Sequence, residues 1–197
     1  MSRILGVLML VSAFLLCQAV FAEEILVDDC NEDGLENSLG GERGLWNCND
    51  NDSEQYCEFE ITEDEKVGDS GSALMLSYDL TTGNNYIDGY PGIAYNGYWS
   101  RLNDVDVSKA KNLTFYVKGN KEDGFTQTFW IELKDNDGGI ARFQVRGVTG
   151  EWQKVQIPLN KFPQIKNWSS MYEFVVVFDQ ICTDKEGVIY IDDIKFE

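Results

Sequence analysis

The sequence predicts an all-β chain folded as a two-sheet antiparallel β-sandwich. Three observations carry the prediction. Eight strand-like runs recur along the 197 residues. Most alternate apolar and polar side chains with a period of two, which gives a strand one core face and one wet face. Turn signals rich in Gly, Asn, Asp and Ser separate the runs, and no long stretch carries the 3.6-residue period of an amphipathic helix. Short strands and turns at such spacing are the pattern of a sandwich.

Taken in order, residues 24–30 (EILVDDC) open the domain. Residues 73–80 (ALMLSYDL) set Leu74, Leu76, Tyr78 and Leu80 against Met75, Ser77 and Asp79. In 112–119 (NLTFYVKG), Leu113, Phe115 and Val117 oppose Thr114, Tyr116 and Lys118. In 127–134 (QTFWIELK), Phe129, Ile131 and Leu133 oppose Trp130, Glu132 and Lys134. In 140–147 (IARFQVRG), Ala141, Phe143 and Val145 oppose Arg142, Gln144 and Arg146. Runs at 152–159, 173–179 and 188–196 complete the set. Turns are expected at 69–71, 83–85 and 118–120, and the DNDGG of 135–139 lies between two alternating runs as a hairpin turn does. Short helical turns are expected near 108–111 and 161–170. With no internal repeat and no linker, residues 23–197 are expected to form one domain, large enough to bury a sizeable core.

Residues 1–22 are expected to be a cleavable secretory signal peptide. Arg3 supplies a positive start, residues 4–16 an apolar middle, and Val20-Phe21-Ala22 a small-residue cleavage site. The apolar run is shorter than the roughly 20 residues a membrane anchor needs. A lipid anchor on Cys17 is disfavoured because Leu16 is too large for the position before a lipidated cysteine. The protein is therefore expected to be secreted, to the extracellular space or the periplasm. Removing Arg3, the one charge in the leader, takes the formal net charge from −18 to −19. So acidic a surface repels phosphate backbones and anionic lipid, which argues against nucleic-acid partners and membrane insertion.

Four cysteines remain after such a cleavage: Cys30, Cys48, Cys57 and Cys182. An even number in an exported chain suggests two disulfides, with three connectivities open. The favoured pairs are Cys48–Cys57, closing a short polar loop, and Cys30–Cys182, tying the first strand to the last hairpin. A zinc site is the alternative, disfavoured by the lack of any His and of any CxxC.

The wet faces of the alternating runs carry Asp79, Tyr116, Trp130, Glu132, Arg142, Gln144 and Arg146. These seven are expected to line one concave sheet as a ligand-binding face. Sugar rings present C–H faces that stack on aromatics and hydroxyls that meet planar amide, carboxylate and guanidinium groups. The aromatic-rich segment 86–99 is expected either to add a wall to that face or to fold its tyrosines inward. Trp152 and Trp168 are assigned to the core. Catalysis finds little support: without His no Ser-His-Asp site can be built. Glu132 and Asp79 are the leading candidates for a glycosidase carboxylate pair.

Four stretches, LVDDCNEDGLENSLGG, DVSKAKNLTFYVKG, EWQKVQIPLNKF and GVIYIDDIKF, resemble one pattern. It is that of family-11-like carbohydrate-binding modules and the broader galactose-binding-like jelly rolls, a fold that includes the domain of the respiratory complex I intermediate-associated protein. The resemblance covers nearly all of residues 24–197. It implies a jelly roll whose concave face binds β-glucan chains, and often a structural calcium ion (Ca2+). Calcium takes hard oxygen ligands. The resemblance places them where the first strand, a Gly/Ser turn and the last strand meet, at Asp28, Asn31, Ser72 and Asp192. One departure is Cys30, which stands where those modules usually have an aromatic residue.

The resulting expectation is a non-catalytic, secreted protein that binds a polysaccharide or oligosaccharide of the β-glucan type. Its further expected partners are an associated glycoside hydrolase or a surface protein. The alternatives are a protein-interaction module using the same face, and a small glucan hydrolase that depends on Glu132.

Overall fold

The computed structural model describes residues 24–197 except 33, 48–54, 82–85, 88–89 and 92–93, and only the backbone of 86–87 and 90–91. The expected signal peptide and Cys48 lie outside the described residues. Along the chain the strands are β1 (Ile25–Asp28), β2 (Arg43–Asn47), β3 (Tyr56–Thr62), β4 (Ala73–Asp79), β5 (Tyr86–Ile87), β6 (Tyr90–Pro91) and β7 (Tyr95–Val105). They continue with β8 (Asn112–Gly119), β9 (Thr128–Asp135), β10 (Ile140–Arg146), β11 (Gln153–Pro158), β12 (Met171–Asp179) and β13 (Glu186–Phe196).

Two antiparallel sheets form the sandwich. The first has the order β11-β8-β13-β4-β3, with β1 also pairing β13; the second has the order β10-β9-β12-β7-β2. β5 and β6 make a separate two-stranded ribbon. The expected alternation decides which side chains go inward. Leu74, Leu76, Tyr78, Leu113, Phe115 and Val117 of the first sheet are buried, as are Phe129, Ile131, Leu133, Phe174, Val176 and Phe178 of the second. Tyr78 stacks on Phe178 at 4.0 Å with an interplanar angle of 12°, and Phe115 meets Phe174 edge-on at 6.4 Å. These aromatic pairs join the sheets across the dry layer.

The expected hairpin at 135–139 joins β9 to β10 in continuous register from Ile140↔Lys134 to Arg146↔Thr128. Asp135 organises its turn. The carboxylate accepts the backbone N–H groups of Asp137 at 2.9 Å and Gly139 at 2.7 Å. It also accepts those of Lys166 at 2.5 Å and Asn167 at 2.9 Å. Burial opposes its charge, but the four donors outweigh burial and hold its pKa below the usual value. The same contacts hold 166–167 as loop, so the helical turn expected near 161–170 is confined to one 3₁₀ turn at Leu159–Lys161, which overlaps that stretch only at Lys161. The segment 108–111 is a turn and coil rather than helix.

The cysteine pairing is corrected. Cys30, Cys57 and Cys182 are free thiols. Cys30 is buried, its Sγ–H directed at the Ile191 carbonyl 3.8 Å away, midway along β13. Cys182 lies before β13 begins. Glu186 to Ile191 alone spans roughly 16 Å at about 3.3 Å per residue, well beyond disulfide reach. The alternation of β3 turns Cys57 into the core opposite Tyr78.

Candidate functional site

The seven residues expected on one face are divided between the two sheets. Asp79 lies on β4 and Tyr116 on β8, both in the first sheet, whereas Trp130 and Glu132 on β9 and Arg142, Gln144 and Arg146 on β10 belong to the second. Asp79 accepts the Thr81 N–H at 2.6 Å, and Tyr116 stands in register between Lys154 and Asp192. Neither reaches the outer face of the second sheet. Glu132 and Asp79 therefore cannot act as a catalytic pair.

The remaining five join residues that sequence reasoning missed. Register places three rows across the outer face of the second sheet. The first is Trp46, Gly97, Val177, Trp130 and Gln144; the second is Gly44, Trp99, Val175, Glu132 and Arg142; the third is Arg101, Glu173, Lys134 and Ile140. A groove of about 350 Å³ runs over them, lined by Trp46, Tyr95, Trp99, Glu132, Lys134, Arg142, Glu173 and Val175.

Aromatic rings form one part of this groove. Trp46 and Tyr95 meet at 5.3 Å, and the Trp99 indole N–H donates to the Leu45 carbonyl at 3.2 Å. The Arg101 guanidinium lies over Trp99 at 4.9 Å and over Tyr172 at 4.2 Å, two cation–π contacts that hold it between the rings. The Nε1 atoms of Trp46 and Trp130 are buried without a hydrogen-bond partner among the described residues.

A chain of charges forms the other part. Arg142 Nε donates to Glu132 Oε2 at 2.6 Å. Lys134 Nζ is 3.4 Å from Glu132 Oε1 and 2.5 Å from Glu173 Oε2, and Arg101 Nη1 is 2.8 Å from Glu173 Oε1. Burial disfavours the Lys134 ammonium, but Glu173 and Glu132 outweigh burial and raise its pKa. Arg146 Nε donates to Gln144 Oε1 at 2.7 Å beside this chain. Each carboxylate is already engaged by cations, which suits holding hydroxyl groups better than moving protons.

The aromatic residues left their trace at period two: Gly44 and Trp46 in one run, and Tyr95, Gly97 and Trp99 in another. Within 86–99, Tyr98 folds into the core while Tyr95 and Trp99 face the groove. Trp168 packs against the core as expected, and Trp152 is half-buried beside Tyr190 at 6.4 Å.

The residues expected to hold calcium do gather at one corner, on the side of the first sheet. Asn31 Oδ1 accepts the Ser72 N–H at 2.9 Å, and Asp192 accepts the N–H groups of Val67 at 2.9 Å and Asp193 at 2.7 Å. Asp28 does not suit a cation, because Arg43 Nη1 already stands 3.3 Å from its Oδ2 with both side chains buried. Asp192 does suit one. It is buried, it has no cationic partner among the described residues, and burial pushes its pKa up to about 6. No cluster of three His, Cys, Asp or Glu side chains arranged for a metal exists among the described residues.

Comparison with known proteins gives consistent findings. The family described as Carbohydrate binding domain 30 matches residues 41–197. The fold is similar to the family 11 carbohydrate-binding module of the cellulosomal cellulase Lic26A-Cel5E of Clostridium thermocellum (TM-score 0.61, 18% identity, covering 89% of this chain and 95% of that one). A family 11 module from Clostridium thermocellum, solved in complex with a beta-1,3-1,4-mixed-linked tetrasaccharide, gives TM-score 0.61 at 18% identity over 88% of this chain and 94% of that one. The family 30 module of the cellulosomal cellulase Cel9D-Cel44B of Clostridium thermocellum gives 0.57 at 17% identity over 89% and 97%. No curated protein matches the chain.

Proposed function

Because this chain belongs to the Carbohydrate binding domain 30 family and is thus a carbohydrate-binding module, we propose that it binds an uncharged β-glucan chain along the outer face of the second sheet. The observation that carries the reading is the joining of Trp46 and Trp99 with the Arg142–Glu132–Lys134–Glu173–Arg101 chain in one groove. Flat indoles stack on the C–H faces of pyranose rings, and the charged groups offer donors and acceptors to the hydroxyls. Three cations against two carboxylates leave the groove floor nearly neutral within a strongly acidic protein, which suits an uncharged glycan. The complex of the family 11 module with a mixed-linked tetrasaccharide supports the choice of β-glucan. We further read the protein as exported and as acting beside a glycoside hydrolase.

Affinity-gel electrophoresis tests the reading. Mixed-linkage β-glucan cast into the gel is expected to retard the protein, and Trp99→Ala is expected to abolish most of that retardation. Absence of retardation by every β-glucan tried would overturn it.

A structural calcium ion at Asp192 is a separate proposal, with Asn31 and Ser72 beside it. The ion would supply the positive charge that this buried carboxylate lacks. Calcium is expected to raise the melting temperature over that in EDTA, and Asp192→Asn is expected to remove the difference. Equal melting of the wild-type protein in calcium and in EDTA would refute it.

A further inference from the structure

The two tryptophans of the groove and the two glycines opposite them form a reciprocal pair of pairs. Trp46 on β2 is the register partner of Gly97 on β7, and Trp99 on β7 is the register partner of Gly44 on β2. Each strand thus gives one indole and one bare backbone position to the other.

In an antiparallel sheet, directly opposed side chains on one face stand only about 5 Å apart at Cβ. Two bulky residues there would prop each other upright. A glycine removes the prop, and the space at Gly44 is filled by the opposing ring. A Cβ at Gly44 would lie 2.5 Å from Trp99 Cζ2 and 2.8 Å from its Cε2. The Trp99 ring therefore lies down on the β2 backbone, where the Leu45 carbonyl holds its N–H at 3.2 Å. On the other side, a Cβ at Gly97 would lie 3.1 Å from Trp46 Nε1 and 2.0 Å from the Val176 carbonyl oxygen. Neither glycine has the positive φ that calls for glycine on backbone grounds, so at Gly44 the tryptophan ring itself is the reason for the missing side chain.

We propose that Gly44 and Gly97 are positioning residues that lay Trp99 and Trp46 flat, making the two indoles a level platform for the sugar rings of the ligand. This deepens the β-glucan reading above and rests on it. Affinity is set by whether the rings lie down as well as by their presence: an upright indole offers a sugar its edge, whereas a flat one offers its face, and at Trp99 the sugar shares that face with the Arg101 guanidinium, 4.9 Å from the ring.

The test is a double-mutant cycle of Gly44→Ala and Trp99→Ala, because Gly97 also abuts backbone and its substitution would disturb the strand. Melting temperature, the near-ultraviolet circular dichroism of the indoles and retardation by mixed-linkage β-glucan are the readouts. G44A is expected to fold, to change the indole signal and to weaken binding about five- to tenfold, the size of losing one stacking interaction. In the W99A background the same substitution is expected to cost nothing further. A folded G44A with unchanged indole signal and affinity, or an equal loss in both backgrounds, would overturn the proposal. If G44A fails to fold while G44A/W99A folds, the ring at that position is the obstacle and the proposal stands; if neither folds, Gly44 serves the strand alone and the proposal falls. Should the wild-type protein bind no glucan, the β-glucan reading fails by itself, and the indole signal of G44A still decides the positioning.

Discussion

Arg43 and Asp28 meet with both side chains sealed from solvent, and Arg43 also donates to the carbonyls of Glu32 and Glu36. Replacing Arg43 with Met removes the cation and leaves the carboxylate buried, a change that costs about 3–5 kcal/mol at neutral pH. Burial raises the Asp28 pKa, and Arg43 offsets this only in part. The folded protein therefore holds that proton more tightly than the unfolded chain does. Its contribution to stability is present below the unfolded carboxylate pKa and is lost as pH rises through the raised folded one. Urea unfolding at pH 4 and pH 7 should accordingly show the R43M penalty shrinking at the acid end; equal penalties would rule out Asp28 as the unpaired group. In the groove, Arg142→Ala should weaken β-glucan retardation severalfold while leaving the melting temperature nearly unchanged, because Arg142 itself is half exposed and Lys134 still pairs with the buried Glu132. Residue chemistry was legible here only in part. Alternation identifies Trp130, Glu132, Arg142 and Gln144, whereas Trp99 falls in the 86–99 segment, which is expected either to wall the face or to fold inward and not to form part of a strand.

That misreading has a cause at the level of the element. β7 places Asn96 and Ser100 inward along with Tyr98 and Leu102, so polar residues interrupt the apolar beat that marks a strand. Burial is tolerated because the Asn96 amide nitrogen and the Ser100 hydroxyl have partners, although Asn96 Oδ1 has none among the described residues. Asn96 Nδ2 donates to the carbonyls of Tyr56 at 2.7 Å and Asp79 at 2.9 Å, and the Ser100 hydroxyl accepts from Asn37 Nδ2 at 2.6 Å. These partners come from distant parts of the chain and are invisible to a local pattern. The β9–β10 hairpin shows the opposite case, a turn read correctly because its signal is local. Its dependence on Asp135 can be measured. Asp135→Ala strips acceptors from four backbone N–H groups and should cost about 2–3 kcal/mol, seen as a lower urea midpoint with an unchanged slope. A loss below about 0.5 kcal/mol would mean that water replaces the carboxylate.

At the scale of the molecule, alternation told which side chains share a strand face, but not which sheet each strand joins. β4 and β8 entered one sheet, and β9 and β10 the other, so a face drawn from all four was divided by the thickness of the core. Sheet membership follows from the order of pairing, which is long-range. Charge also acts at this scale. The protein carries a formal net charge of −18, yet the groove pairs its cations and carboxylates side by side. Binding of a neutral glucan should then change less than about twofold when salt is raised to roughly 0.5 M, whereas a charged ligand would show strong screening. Titration calorimetry with an oligosaccharide at two salt concentrations makes the measurement.

The free thiols give this sandwich built-in clocks. Cys182 is half exposed, whereas Cys30 and Cys57 are sealed in the core, and burial raises the pKa of both core thiols, which keeps them in the unreactive protonated form. A thiol reagent reaches the inner two only when the structure opens, at different places. Cys57 sits on β3, the outermost strand of its sheet, and Cys30 beside the middle of β13. Matching modification rates would reveal one concerted opening, while a faster Cys57 would time the peeling of an edge before the layers part.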